Sequence, residues 1–298
     1  MSAGPVANAP HGNPTAGAFA RPLPFFYDLY TFRGTGGRTA VVAAFAVPAG
    51  RLEIEDRPRG VRYRFDVTLV LADTALRSVS RTDDSVYVGS PHPLPGEHLL
   101  FTHIEVQAPP SGSTLQRVIM TDATKPGIGQ LYGASFPIPD YSGSDLMLSD
   151  IALGQPGAQA GWERGDVTLA LLPTSQFPGS RFDVYYEIYN LPAGHRYATE
   201  IFVEDADSTS TEPVGDRTAV RLRFSGEAAT RPDGMLPELR RVETALGRGH
   251  YRITVIITDE QTGETASRSR FFHVRGFGRG ATMVTALPRG RQLGSRNR

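Results

Sequence analysis

The sequence predicts an all-β protein made of two tandem immunoglobulin-like β-sandwiches, and two observations support this. First, apolar and polar residues alternate over long stretches such as residues 61–71, a period of two that is typical of a strand with one buried face. Second, each half holds about seven such strands separated by Gly- and Pro-containing turns, the pattern of an immunoglobulin-like sandwich. Sustained helical periodicity is absent, although Leu236, Leu239 and Val242 fit a short helix as well as a strand.

Residues 182–205 show the alternation most clearly. The even positions from 182 to 188 are Phe, Val, Tyr and Ile, and this uninterrupted apolar series is predicted to fill a core. After the turn signal Pro-Ala-Gly at 192–194, the odd positions from 197 to 203 become the inward face. We therefore predict a β-hairpin over this range. Residues 39–47 are apolar at nearly every position, which predicts a strand covered on both faces.

A stretch rich in Pro, Ser and Gly at 137–144 breaks the strand pattern and predicts a domain boundary. The Pro-rich N-terminus has neither a basic nor an apolar signal-peptide region, so we interpret it as a disordered leader or linker, or as the cut edge of a longer protein. The predicted organisation is a leader at 1–24, a first sandwich at 25–142, a second sandwich at 143–275 and a disordered basic tail at 276–298.

The two halves carry the same landmarks in the same order. Pro-Ala-Gly at 48–50 precedes a long alternating strand that ends at Asp73, and Pro-Ala-Gly at 192–194 precedes another that ends at Asp205. A second pair of strands, joined by a Gly-containing turn, lies near the end of each half. We therefore expect a tandem duplication.

Composition excludes several classes of function. The chain of 298 residues has 31 basic and 31 acidic residues, so charge gives no argument for a nucleic-acid partner. The absence of cysteine excludes disulfides, thiolate zinc sites and cysteine nucleophiles. No apolar run reaches the roughly 18–20 residues of a membrane-spanning helix. The motifs of zinc proteases, serine hydrolases and phosphate-binding loops are also missing, and the seven histidines are scattered, so we expect no catalytic site and no cofactor.

Two sets of residues remain as candidate sites. One set, here called the Tyr–Glu–Tyr row, consists of Tyr185, Glu187 and Tyr189, which alternate with the apolar series of their strand. We predict that the row faces outward and contacts a protein partner. The alternatives are that these side chains only stabilise the sheet through cross-strand pairs, or that the first sandwich covers them. Asp205 and Asp207 could ligate calcium at a sandwich tip, although the spacing departs from an EF-hand loop and a solvated acidic loop is the alternative.

Residues 27–34, 148–153 and 184–191 resemble segments of the β-rich C-terminal region of bacterial proteins named for a Gly-Trp-x-Thr-Asp (GWxTD) motif. The resemblance covers most of residues 25–275, but the naming motif is absent: Gly161-Trp162 has only its first two letters and is predicted to lie in a loop. Because those proteins are generally exported, the resemblance implies a periplasmic or extracellular location, reached with the help of sequence upstream of Met1.

The predicted function is that of a non-catalytic binding or spacer module of an exported bacterial protein, with a protein partner. The alternative is a carbohydrate-binding or carbohydrate-active protein that uses the cleft between the sandwiches, since such clefts host pairs of carboxylates. Asp150, Glu163 and Asp166 are the acidic residues near the boundary.

Overall fold

The structure of the chain is a computed structural model, which describes residues 13–14, 19–75, 79–155, 161–177, 181–206, 218–229, 234–243, 246–274 and 284–285. In these residues it contains β-strands and one short 3-10 turn, Ala49–Arg51. The predicted all-β fold class is confirmed.

Strands of the first half form two sheets. Sheet I has seven strands: β1 (Asn13–Pro14), β2 (Arg21–Pro22), β5 (Ile54–Arg57), β6 (Gly60–Asp73), β7 (Val79–Ser90), β9 (Thr114–Asp122) and β10 (Ile128–Ser135). Sheet II has four: β3 (Phe26–Arg33), β4 (Thr39–Pro48), β8 (Leu99–Ala108) and, from the C-terminal part of the chain, β21 (Val284–Thr285).

Strands of the second half form two further sheets. Sheet III has six strands: β11 (Met147–Leu148), β12 (Ala152–Gln155), β13 (Trp162–Arg164), β14 (Val167–Leu171), β15 (Phe182–Tyr189) and β18 (Met235–Val242). Sheet IV has four: β16 (Arg196–Asp205), β17 (Thr218–Glu227), β19 (Gly249–Asp259) and β20 (Thr265–Val274).

The four sheets are stacked in numerical order with an apolar layer between each pair. Between sheets I and II lies a core that includes Phe45, Phe65 and Leu69. Between sheets III and IV lies a second core that includes Phe182 and Ile253. A third, smaller apolar cluster joins sheet II to sheet III. Strand β4 is buried along almost its whole length, as predicted from its apolar sequence, because it has a core on each face.

The hydrogen-bonding order of the strands is the same in the two halves. The order β7–β6–β9–β10 in sheet I matches β17–β16–β19–β20 in sheet IV. Likewise, β3–β4–β8 in sheet II matches β12–β15–β18 in sheet III. The strands that follow the two Pro-Ala-Gly turns, β6 and β16, therefore occupy equivalent places in the two halves. The second predicted pair does not correspond: its first strand is β8 in the first half, which matches β18, but β19 in the second half, which matches β9.

A matched aspartate at the end of β9 and β19 extends this correspondence to side chains. The carboxylate of Asp122 accepts hydrogen bonds from the backbone amides of Thr124, 2.8 Å away, and of Glu53, 2.7 Å away in the connection after β4. The carboxylate of Asp259 caps its own turn and contacts Nδ1 of His195, 2.8 Å away in the connection after β15. In both halves one carboxylate thus forms hydrogen bonds both to a hairpin turn and to the segment that crosses between sheets.

The prediction of a hairpin over residues 182–205 is wrong. Strand β15 pairs with β11, β12 and β18, whereas β16 pairs with β17 and β19, so the chain crosses from sheet III to sheet IV at residues 190–195. The ambiguous segment around Leu236 is a strand, β18, rather than a helix. Residues 149–151 separate β11 from β12 in sheet III.

The described strands up to residue 135 lie in sheets I and II and those from 147 to 274 in sheets III and IV, so the predicted boundary at 142/143 falls between them. The predicted leader at 1–24 is ordered at its end: Leu23 is fully buried in the first core, and the amides of Arg21 and Leu23 donate to the carbonyls of Gly127, just before β10, and Gly129, in β10. Pro22, which has no amide proton to donate, lies between these two donors. The predicted tail at 276–298 lies outside the described residues except for β21.

Candidate functional site

The Tyr–Glu–Tyr row lies on β15, and all three side chains are fully buried. They point away from the second core, as the alternation predicts, because Phe182, Val184, Tyr186 and Ile188 fill that core. The row does not face solvent, because sheet II of the first sandwich covers it, which is one of the alternatives that the sequence left open. The row therefore forms the centre of the contact between sheets II and III, here called the inter-sandwich interface.

Aromatic rings make the apolar part of this interface. Phe32 on β3 stacks on Trp162 of β13 with ring centroids 4.8 Å apart. Tyr185 meets the edge of Trp162 at 5.4 Å and lies 5.7 Å from Phe32. Around them are small side chains of β4, among them Ala40 and Ala44. The small residues allow the two backbones to approach, and the rings fill the remaining space.

A buried ion pair lies beside these rings. Arg164 Nε and Nη2 donate to the two carboxylate oxygens of Glu187 at 2.7 and 3.0 Å, a bidentate geometry. The hydroxyls of Tyr185 and Tyr189 donate to the same two oxygens. Arg164 Nη2 also donates to the carbonyl oxygen of Arg33 at 2.6 Å, across the interface. The carboxylate thus has four donors, which compensate for its removal from water.

The protonation states of this group follow from its surroundings. Burial, and next the negative charge of Glu187, raise the pKa of Tyr185 and Tyr189, so both remain neutral donors. Burial on its own would lower the pKa of Arg164, but the hydrogen bonds and charge of Glu187 outweigh it and raise that pKa. Arg164 therefore stays a cation, and the two tyrosines stay neutral hydroxyls.

A second ionic group stands at the edge of the interface, where the strand containing β11 and β12 is interrupted. Asp150 contacts Arg268 at 2.5 Å and Arg270 at 3.4 Å, both on β20. Its carboxylate also accepts from the amide and hydroxyl of Thr31 on β3, at 3.0 and 2.7 Å. Arg270 extends to Asp28 of the first sandwich at 2.9 Å. Asp150 therefore connects sheet II, sheet III and sheet IV.

The connection between the sandwiches is also held in place. Tyr141 is buried, with its ring 5.2 Å from that of Tyr189. Asn190 donates to the carbonyl oxygens of Gly143 and Asp145, each at 2.8 Å, and accepts from Arg33 at 2.9 Å. The Pro-, Ser- and Gly-rich boundary segment is thus held by ring contacts and hydrogen bonds.

This interface is filled by protein, so the residues named for a carbohydrate site do not converge on an open cleft. Asp150 is salt-bridged: burial would raise its pKa, but Arg268 and Arg270 outweigh burial and lower that pKa. A general acid needs a raised pKa, so Asp150 has the opposite property. Glu163 and Asp166 are exposed on β13 and the turn that follows it.

The calcium candidates receive no support from the described residues. Asp205 is exposed at the end of β16, and Asp207 lies outside the described residues. Within the ranges that the structure describes, no three His, Asp or Glu side chains gather where they could hold a metal ion.

Sequence reasoning missed Arg164 and misplaced Trp162. The predicted loop at Gly161-Trp162 is in fact the start of β13, which pairs with β14. A Cβ atom on Gly161 would lie 2.5 Å from the carbonyl oxygen of Leu169, so glycine is required for the close approach. The Trp162 ring fills the interface, and its Nε1 donates to Glu105 on β8 at 3.1 Å. The signal available in the sequence was the Trp-x-Arg spacing, which places both side chains on one face of a strand.

No protein-family model and no curated protein matches the chain. Among solved structures it is similar to red sea bream transglutaminase (13% identity, TM-score 0.24). It is also similar to a calcium-binding mutant of Bacteroides uniformis beta-glucuronidase 2 (8% identity, TM-score 0.27) and to the serine-rich repeat protein Srr2 of Streptococcus agalactiae (9% identity, TM-score 0.23). These alignments cover 84%, 83% and 87% of this chain, and 31%, 28% and 96% of the respective proteins.

The chain therefore spans about a third of the transglutaminase and the glucuronidase, and at these TM-scores the similarities support no statement about function. Among the residues that the structure describes, no helix could span a membrane.

Replacing Glu187 by Ala is expected to destabilise the chain by about 3–5 kcal/mol, because it leaves the buried Arg164 without its counter-ion. The measurement is urea unfolding followed by the fluorescence of Trp162, the one tryptophan of the chain. The matched control is Glu200→Ala on β16, whose ion pairs with Arg221 and Arg223 are exposed and contribute about 0–1 kcal/mol. Equal losses in the two variants would contradict the assignment of a buried ionic centre.

The lowered pKa of Asp150 predicts how the stability of the chain depends on pH. Its pKa is lower in the folded chain than the unfolded value of about 3.9. Its contribution to stability is therefore full above about pH 5, declines as pH falls through the unfolded value, and is lost once pH falls through the folded value. We expect Asp150→Asn to be less stable than the native chain at pH 7 and to lose less stability than the native chain between pH 5 and pH 2. Urea midpoints at each pH measure this. Parallel pH curves for the two proteins would show that Asp150 is not linked to folding.

Proposed function

We propose that the chain is a non-catalytic binding or spacer module in which two immunoglobulin-like sandwiches act as one rigid block. The observation that supports this most is the inter-sandwich interface, where a buried ion pair, an aromatic cluster and a fastened connection hold the two halves. A hinge would need an interface that opens, whereas opening this one would expose Trp162 and separate Arg164 from its acceptor on Arg33. Such a block keeps a fixed distance and orientation between its ends.

The immunoglobulin-like assignment of each half is supported by strand order. Of the strands in each half, seven recur with the same neighbours in the other half, three in one sheet and four in the facing sheet. Seven strands divided in this way between two sheets support an immunoglobulin-like sandwich. Together with the matched aspartates Asp122 and Asp259, it favours duplication of one ancestral sandwich.

The partner of such a module would contact the outer faces of sheets I and IV, because the Tyr–Glu–Tyr row is already covered. Balanced charge favours a protein partner over nucleic acid. The resemblance to the C-terminal region of GWxTD-motif proteins supports export and a bacterial source. Fractionation of the source cells checks the location, and a product found with the cytoplasm would contradict it.

The absence of cysteine makes rigidity directly measurable. Arg81→Cys and Arg223→Cys place one thiol on an exposed position of each sandwich, and a donor–acceptor dye pair then reports the distance by single-molecule energy transfer. We expect one narrow distance distribution for the native interface. Adding Trp162→Ala and Arg164→Ala, which remove the aromatic and ionic contacts, is expected to broaden it.

The control is the same dye pair with Glu260→Ala, a change of an exposed residue that contacts neither dye position, which should leave the distribution narrow. A broad distribution in the otherwise native chain would overturn the proposal of a rigid block.

A further inference from the structure

Two histidines face each other on the outer surface of sheet IV. His250 on β19 and His273 on β20 are directly opposite in the strand register. Their rings are stacked, with centroids 4.2 Å apart and planes 9° from parallel. His250 is exposed and His273 is half-buried, so solvent reaches the pair.

The backbone explains why these rings are so close. The amide of His273 donates to the carbonyl of Thr174 at 2.8 Å, and its carbonyl accepts from Phe177 at 3.3 Å. The carbonyl of His250 accepts from Ala206 at 2.8 Å. These groups point away from the facing strand, so the two histidines form a non-hydrogen-bonded pair, in which cross-strand side chains come closest.

Imidazole nitrogens held this way are ligands for a particular class of ion. Neutral imidazole binds Zn²⁺, Ni²⁺ and Cu²⁺, with Zn–N distances of about 2.0–2.1 Å. In the stacked arrangement the two ring planes are nearly parallel, so binding one ion requires both rings to turn out of the stack, which the broad χ2 torsion of histidine permits. The positive charge of Arg252, the next outward residue on β19, is offset by Glu204 at 2.7 Å.

We propose that His250 and His273 form a two-imidazole site for a divalent ion of the zinc class, with the remaining coordination positions open to solvent. The site is distinct from the inter-sandwich interface and from the calcium candidate at Asp205. The described residues supply two protein ligands rather than the three or four of catalytic and structural zinc sites. The ion therefore binds reversibly and exposes its open positions to a ligand from outside.

The test is isothermal titration of the full chain with zinc chloride after treatment with a chelator. We expect one ion per chain, and an affinity reduced by about tenfold or more in His250→Ala and in His273→Ala, because either change leaves a single imidazole. The matched control is His92→Ala, an exposed histidine of the first sandwich, which should bind as the native chain does.

Far-UV circular dichroism and urea midpoints in chelator verify that the variants are folded. If an alanine variant is not folded, the glutamine variants His250→Gln and His273→Gln replace it, since they keep a polar side chain of moderate size. Absence of binding to the native chain at millimolar zinc would overturn the proposal. So would native affinity in both single variants, because another part of the chain would then hold the ion.

Discussion

The burial of one carboxylate, that of Glu187, between two sheets is the constraint on which the rest of the structure depends. A charge removed from water is costly unless it is paired and fully hydrogen-bonded. Glu187 meets this condition through Arg164 and two tyrosine hydroxyls. The same groups reach the first sandwich, because Arg164 donates to the carbonyl of Arg33 and Tyr189 accepts from its amide. Moving one sandwich relative to the other would break the coordination of the charge.

Buried ion pairs contribute little net stability compared with apolar residues of the same shape, yet breaking one is costly. We infer that the ionic groups around Glu187 and Asp150 define how the sandwiches are oriented, while the aromatic cluster around Trp162 supplies the apolar burial. The continuous burial of β4 follows from this stacking, since its two faces belong to two different cores. The stacking also brings Asn190 close to the boundary segment, where its side chain donates hydrogen bonds to the carbonyls of Gly143 and Asp145.

Sequence periodicity predicted the strands well and their partners poorly. The alternation at Phe182–Tyr189 correctly separated core-facing from opposite-facing residues, but it contains no information about what covers the opposite face. A fully buried Tyr–Glu–Tyr row and an exposed one have the same local pattern. The connection at 190–195 was read as a hairpin because Pro-Ala-Gly turns look alike whether strands pair or cross to another sheet. Only residues far along the chain, such as Leu236 for β15 and Val255 for β16, decide the pairing.

Differential scanning calorimetry of the full chain shows whether the two sandwiches unfold as one cooperative unit. The inter-sandwich interface predicts a single transition whose calorimetric and van't Hoff enthalpies agree, the criterion for all-or-none unfolding. Two resolved transitions, each with its own two-state enthalpy, would show that the sandwiches unfold independently and that the interface does not couple them.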